Sequence, residues 1–357
     1  MRIHIELKVN NEQDIVGYVY QPDQRATAHT ISELQLTAAD SVIIRGQTLT
    51  LSGIITTLIE YDANTLSSVL DERGQIDIGR HLYAHTFGQL SPQFQRRLLD
   101  AESVDVRIIT TDEHLSRLPW PLLAERNVFL CTQNWSISLA ADGSMIDREL
   151  PPSPRILIIA PQPNDSAKSD ADQHLEKFSE MLMRYDSLLT FGKNLYRVGS
   201  WVEFKEALNK FNPHIVYYYG HGIGGEDRSR LLFVDEQNKK DEISVADFSL
   251  SLRKMQTPPV IVYANCCLGD AAGLLGAGQQ LSDFVPVVLT NRTVATIQAA
   301  QVQAMQLWES VLIKGLAPHV ATAQLYSRLT ELNLSVTDVR WLTPVLHCNY
   351  GKWRANP

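Results

Sequence analysis

Ile215-Val216-Tyr217-Tyr218-Tyr219-Gly220-His221-Gly222 and Val260-Ile261-Val262-Tyr263-Ala264-Asn265-Cys266-Cys267-Leu268-Gly269 decide the reading of this chain. Each is a short apolar run of β-branched and aromatic residues that ends in a loop carrying a side chain able to do chemistry. Runs this short, bounded by proline or glycine, predict strands buried on both faces, as in a parallel sheet, rather than helices. In open α/β sheets the working groups lie just beyond the carboxyl ends of such strands. The first run supplies His221 as a base, and the second supplies a cysteine nucleophile. His221 and Cys266 lie 45 positions apart, which leaves room for one crossover between adjacent strands.

Working outward, a boundary falls at Pro151-Pro152-Ser153-Pro154, where prolines favour an extended linker, and Arg155 to Ala160 reads as the first buried strand of a new sheet. The chain is thus divided into residues 1–150 and 151–357. In the second part Leu175, Phe178, Leu182, Tyr185 and Leu189 mark a helix over Ala171 to Leu189. Ser200 with Glu203 forms a capping box for another helix, to Phe211. Leu231 to Val234 reads as a hairpin arm, Val245 to Met255 as a helix and Val285 to Leu289 as a strand. A long helix from Thr296 to Lys314 stops at Gly315. This alternation predicts a doubly wound, mostly parallel sheet flanked by helices.

The first 150 residues mix the two periodicities. Ile3 to Val9, Asp14 to Tyr20, Ser41 to Arg45, Thr48 to Gly53 and Val104 to Ile109 read as strands, and Ile55 to Asp71 and Ile78 to Leu99 as helices. Leu118-Pro119-Trp120-Pro121-Leu122-Leu123 is a proline-bracketed apolar knot suited to docking subdomains rather than to catalysis.

At 357 residues and 44% hydrophobic content the chain can bury a full core, and it shows no internal repeat or low-complexity tract. No apolar run is long enough for a membrane span, and the start lacks the apolar stretch of a secretion signal, so no membrane association is expected. Cys131, Cys266, Cys267 and Cys348 are too scattered for a disulfide framework. Free thiols imply a reducing compartment, the cytoplasm. No Cys-x-x-Cys pair offers a zinc site, so neither metal nor cofactor is expected. With 32 basic against 40 acidic residues, a net charge of −8, no global field draws the chain to nucleic acid.

The Leu118–Leu123 knot, Gly220-His221-Gly222 and Asn265-Cys266-Cys267-Leu268-Gly269, in this order and spacing, resemble the CHAT family, a caspase-like group of cysteine peptidases related to separase. The spacing from histidine to cysteine is also close to the ~50 residues of the caspase signature. Family members often read Leu-Pro-Trp-Glu, Gly-His-Gly and Ala-Cys-x-Thr-Gly. Here Pro121 replaces the glutamate, Asn265 the alanine and Leu268 the threonine. The resemblance covers most of the chain and implies a caspase-type sheet, a degenerate N-terminal α/β companion subdomain and peptide-bond hydrolysis by a Cys-His dyad. It also implies that backbone N–H groups of Gly222 and of the nucleophile form an oxyanion hole. Many relatives carry helical repeats ahead of the module. Their absence here implies that activation comes from a separate protein or ligand, and bacterial relatives place such activity in defence and cell-death pathways, cutting effector proteins.

Two cysteines compete for the nucleophile. Counting back from Gly269, a Cys-x-x-Gly spacing selects Cys266, the preferred residue, whereas a Cys-x-Gly spacing selects Cys267. The other packs as a small buried hydrophobe. A Cys-Cys pair alone also reads as a buried strand end without chemistry, and it is the matching Gly-His-Gly strand end that argues for catalysis. Asp270 either lines a pocket for a basic substrate residue or is a solvated loop carboxylate, and Glu226-Asp227-Arg228 reads as a solvated loop. His214 reads as a surface residue. Gly273 to Gly278 lacks the Lys-Ser/Thr of a phosphate loop and reads as a flexible connection. His347-Cys348-Asn349 are consecutive, so their side chains diverge. The expectation is a cysteine endopeptidase acting on a protein substrate. The alternative is an inactive caspase-like module that binds a peptide or partner in the same cleft. A nucleotide-sensing domain has little in the sequence to support it.

Overall fold

The computed structural model describes residues 1–10, 14–31, 34–59, 70–141, 145–167, 169–185, 193–223, 229–266, 276–293, 296–332, 339–351 and 353. Its contacts divide the chain into two compact units, Met1–Gly143 with Thr322–Thr343, and Ser144–Ala321 with Pro344–Pro357.

The first unit runs β1 (Arg2–Val9), β2 (Ile15–Tyr20), β3 (His29–Ile31), β4 (Ser41–Ile44), β5 (Gln47–Thr50), α1 (Leu51–Ile59), α2 (Glu72–Ala84), α3 (Pro92–Leu99), β6 (Val104–Ile109), α4 (Glu113–Arg117), β7 (Ala124–Glu125), β8 (Val128–Phe129) and β9 (Trp135–Ala140). Its sheet has the order β9-β6-β1-β2-β3, with β9, β6 and β1 parallel and β2 and β3 antiparallel.

Helix boundaries here depart from the sequence reading for local reasons. Arg45 and Gly46, both at positive φ, turn β4 into β5. The Thr50 hydroxyl then accepts the Gly53 N–H, so a helix begins at Leu51, inside the stretch read as strand, and buries Leu51, Ile54, Ile55 and Leu58 at helical spacing. Asp71 starts a helix rather than ending one, because its carboxylate accepts the Gly74 N–H at 2.9 Å. The single helix expected over Ile78 to Leu99 is two. Ser91 caps α3 and Pro92 occupies its first turn, where the missing N–H costs nothing.

The Leu118–Leu123 knot is a packing element of this unit. Leu118, Trp120, Leu122 and Leu123 are at most 1% exposed, and Trp120 Nε1–H donates to the Leu115 carbonyl. Cys131 Sγ–H donates to the Pro121 carbonyl beneath it, and burial pushes that thiol far up, so it carries no nucleophilic thiolate.

The second unit continues with β10 (Ile156–Ile159), α5 (Ala171–Tyr185), β11 (Leu195–Val198), α6 (Trp201–Phe211), β12 (Ile215–Tyr219), β13 (Gly222–Ile223), β14 (Arg230–Val234), β15 (Lys240–Ser244), α7 (Val245–Arg253), β16 (Ile261–Asn265), α8 (Ala277–Ser282), β17 (Val287–Asn291), α9 (Ile297–Trp308), α10 (Pro318–Leu332), which carries the chain back to the first unit, and β18 (Pro344–Cys348). The sheet order is β11-β10-β12-β16-β17-β18, parallel throughout except for β18 against β17. From β10 the chain steps to β11 on one side and then to β12 on the other, so the strand order reverses between β10 and β12. That is where an open α/β sheet forms its crevice.

Both faces of this sheet are covered, which is why its strands read as unbroken apolar runs. Tyr217, Tyr219 and Tyr263 pack with Phe178 and Leu182 of α5 and Leu307 and Trp308 of α9. Val216, Tyr218, Val262, Ala264 and Cys266 pack with Phe204 of α6, Phe248 of α7 and Leu281 of α8. Sequence signals for helix ends hold here. Ser200 and Glu203 form the capping box of α6, Thr296 caps α9, and Gly315 stands at φ +64° after the π-helical turn Glu309–Ile313 that prolongs α9. The described part of the helix expected to reach Leu189 ends at Tyr185, and the rest lies outside the described residues. Among the described residues, no helix is long and apolar enough to cross a membrane.

Candidate active site

β12 and β16 are parallel neighbours in a register that pairs Tyr219 with Asn265, so the two strands end together. His221 follows one and Cys266 the other, which brings the expected base and the preferred nucleophile to one carboxyl edge on adjacent strands. Gly222 opens β13 opposite Leu231 of β14. Cys267, Leu268, Gly269 and Asp270, with Glu226 to Arg228 and Gly273 to Leu275, lie outside the described residues.

The His221 backbone is fixed from two directions. Its carbonyl accepts the Leu232 N–H at 3.1 Å, and the Tyr218 hydroxyl reaches it at 2.8 Å while also reaching the Leu232 carbonyl at 2.7 Å. Burial raises the Tyr218 hydroxyl well above the usual phenol range, and the nearby Cys266 raises it further, so Tyr218 remains a neutral donor. A side chain at Gly220 would be crowded at this turn. A Cβ there would stand 2.9 Å from that hydroxyl and 3.2 Å from Pro161 Cγ.

The imidazole is oriented by a backbone group that carries no sequence signature. His221 Nε2 lies 2.7 Å from the Ala167 carbonyl. A carbonyl only accepts, so Nε2 holds the proton in this bond, and in the neutral ring Nδ1 is left as the base. Ala167 sits in the loop after β10, at the strand-order reversal, and that loop is tied to the β14–β15 hairpin. Asn164 N–H donates to the Asn238 carbonyl at 2.8 Å, and Lys240 N–H donates to Asp165 Oδ1 at 3.0 Å. The hairpin in turn holds the His221 carbonyl through Leu232, closing a circuit around the histidine.

Behind the strand ends lies a buried polar network. Asn265 Nδ2 donates to the Ala300 carbonyl at 2.9 Å and to the Tyr217 hydroxyl at 3.3 Å, while Asn291 Nδ2 donates to Asn265 Oδ1 at 2.9 Å. The Tyr217 hydroxyl lies 2.7 Å from His174 Nε2, and the His174 ring stacks on Tyr219 with centroids 4.2 Å apart. Asn265, which departs from the alanine usual in the resembling family, thus anchors the residue before Cys266 to three elements. The sequence did carry a hint of this, since three consecutive tyrosines in a buried strand need partners for their hydroxyls.

His174 is fully buried, and burial, with a smaller contribution from Lys177, lowers its pKa to about 4. The unfolded chain takes up this proton first, near pH ~6.5. The stability due to the neutral ring is therefore complete above that value and is lost as pH falls toward 4, by up to ~3 kcal/mol. Urea midpoints of His174→Gln should decline less steeply with acidification than those of wild type over this window. Parallel declines would remove His174 as a source of acid sensitivity.

His214, read as a surface residue, is half-buried and structural. Its Nδ1 accepts the Arg155 N–H at 2.9 Å, and burial, with Arg155 nearby, lowers its pKa to about 4. Of the consecutive trio at the end of β18, Cys348 enters the core while Asn349, just past the strand, donates from Nδ2 to the Ser282 carbonyl, so these two do not converge.

No family model and no curated protein matches the sequence. Among solved structures, a chain of the Saccharomyces cerevisiae separase–securin complex is similar over 97% of this chain and 30% of that chain, with a TM-score of 0.54 and 11% identity. A secreted C11 cysteine protease from Bacteroides thetaiotaomicron, solved with an irreversible peptide inhibitor, matches 50% of this chain and 59% of that one, with a TM-score of 0.36 and 13% identity. With the yeast chain, at 11% identity, what is shared is the fold, a mostly parallel sheet flanked by helices. The present chain spans less than a third of the length of the yeast chain.

Proposed function

We propose that this protein is a cysteine endopeptidase of the CHAT type in which His221 and Cys266 form the dyad. The observation that carries the reading is the coincidence of Cys266 and His221 at the ends of register-matched parallel strands, with the imidazole held by the Ala167 carbonyl. In this reading His221 Nδ1 takes the Sγ proton and the sulfur attacks the scissile carbonyl carbon. The N–H groups of Gly222 and Cys266 receive the developing oxyanion. Collapse breaks the C–N bond, and the amine leaves with the proton from Nδ1. Water, deprotonated by the same nitrogen, then releases the acyl group as a carboxylic acid and restores the thiol.

Cys266 is only 3% exposed, so attack on a peptide requires neighbouring chain to move aside. This favours activation by a separate protein or ligand, and with the family resemblance it suggests a cytoplasmic defence or cell-death role. The test is cleavage of a degenerate peptide library, read by mass spectrometry, together with labelling of Cys266 by an electrophilic peptide. Cleavage with labelling supports the peptidase. Tight peptide binding with neither leaves the fold as an interaction module.

A further inference from the structure

We infer that β13 is the strand along which the substrate is laid, its free edge taking an extended peptide and the Gly222 carbonyl accepting one of that peptide's backbone N–H groups. This deepens, and rests on, the reading of His221 and Cys266 as a dyad in which the Gly222 N–H receives the oxygen of the cleaved carbonyl.

The direction of the Gly222 backbone follows from two hydrogen bonds. Leu232 N–H donates to the His221 carbonyl at 3.1 Å, which makes these two a bonded pair across the antiparallel ladder. Bonded and non-bonded pairs alternate along such a ladder. Gly222 opposite Leu231 is therefore a non-bonded pair, and Ile223 opposite Arg230 is again bonded. The far side of β14 gives the same parity. Val245 N–H donates to the Ser229 carbonyl at 3.0 Å, and Leu231 lies opposite Ile243, so the backbone groups of Ser229 and Leu231 serve β15 while those of Arg230 and Leu232 serve β13. The N–H and C=O of Gly222 consequently both point away from β14.

On that side β13 is the edge of its sheet, whose order is β13-β14-β15. Gly222 is half-buried and Ile223 is 38% exposed, so the edge is open to solvent. An edge strand with outward N–H and C=O groups is a template for another extended chain. Gly222 has no side chain to hold that chain beyond the ~4.8 Å spacing of paired strands. The template is also firm. Leu231 and Phe233 of β14 are at most 1% exposed in the core, and the β14–β15 hairpin is tied to the loop that orients His221. A preorganised edge lowers the ordering cost of binding.

The occupant is a peptide main chain because the edge starts at the residue after His221 and offers one acceptor beside one donor. With the Gly222 N–H on the cleaved carbonyl oxygen, strand geometry leaves two sources for the N–H that reaches the Gly222 carbonyl. An antiparallel peptide supplies it from the residue whose carbonyl is cut, and a parallel one from the second residue after the cut.

The experiment uses the full chain carrying Cys266→Ala, with the peptide it retains most tightly from a degenerate library. Labelling glycine carbonyls with ¹³C and isoleucine nitrogens with ¹⁵N isolates two correlated signals, because only Gly53 and Gly222 precede isoleucine. Binding should move the Gly222 carbonyl signal downfield and leave that of Gly53, in the first unit, in place. Replacing single peptide N–H groups by ester oxygens should weaken binding about fivefold or more at one of the two positions named, and return the Gly222 signal toward its free value. Other positions should stay within about twofold. A Gly222 carbonyl unmoved by bound peptide, an ester effect at neither position, or a library from which nothing is retained overturns the inference. A peptide bound with these marks that the wild-type chain leaves uncut would retire the peptidase reading and leave the docking strand standing. Cleavage by a chain whose Gly222 carbonyl ignores the peptide does the reverse.

Discussion

Cys266→Ala is expected to reduce peptide cleavage to background and His221→Ala to lower it by ~10²–10⁴-fold, whereas Cys267→Ala stays within a few-fold of wild type. The asymmetry follows from position. Cys266 is the residue immediately after β16, and its backbone is held by Asn265, whose amide side chain is fastened to Ala300, Tyr217 and Asn291. In the proposed mechanism an alanine at 266 keeps the strand and its packing but leaves no nucleophile. An alanine at 221 keeps the thiol but removes the group proposed to take its proton and later protonate the leaving amine. Because the Tyr218 and Leu232 contacts hold the backbone at 221 rather than the ring, the turn should survive the substitution. Free imidazole should then recover part of the lost rate in His221→Ala and none in Cys266→Ala. Cleavage surviving in Cys266→Ala but lost in Cys267→Ala would transfer the nucleophile to Cys267. Survival in both would remove this edge of the sheet from the chemistry.

What could be read from the sequence was whatever depends on side-chain type at short range. Ile215 to Tyr219 and Val260 to Asn265 announced buried parallel strands because nothing else buries such runs on both sides. Ser200 with Glu203, and Thr296 with Gly315, marked helix ends because capping is a local exchange of hydrogen bonds. What escaped depends on pairing between distant segments. The carbonyl of Ala167 orients His221, yet any residue has a carbonyl, and only the return of β10 beside β12 brings this one within 2.7 Å. Asn265 looked like a departure from a family motif, and its role appears only once Tyr217 and Asn291 are its neighbours. The boundary of α1 was misplaced for the opposite reason. Thr48 to Gly53 has the alternation of a strand, and the Thr50 hydroxyl overrides it by capping the helix that starts at Leu51.

Gly79→Ala is expected to destabilise the first unit by ~2 kcal/mol or more, against what helix propensity alone would say. Gly79 lies inside α2, where replacing glycine by alanine ordinarily stabilises by up to ~1 kcal/mol. A Cβ at this position, however, would stand 1.9 Å from the Leu122 carbonyl oxygen and 2.9 Å from both the Leu122 carbonyl carbon and Ala124 Cβ. The obstacle is backbone, so no rotamer change relieves it. Nor can the turn retreat, since Leu122 N–H donates to the Pro119 carbonyl, Leu123 N–H to that of Trp120, and Leu130 N–H to that of Leu123, at 2.8, 2.9 and 2.8 Å. Overpacking of a rigid core costs ~1–3 kcal/mol and more when backbone must shift, which exceeds the propensity gain. Gly53→Ala makes the comparison. Its Cβ would meet one side-chain oxygen, Thr50 Oγ1 at 3.2 Å, and its effect should stay within ~0.5 kcal/mol. Denaturant midpoints of the two variants decide the matter. If Gly79→Ala matched wild type, α2 would not rest on the Leu118–Leu123 turn, and the proline-bracketed motif would lose its structural reason for being there.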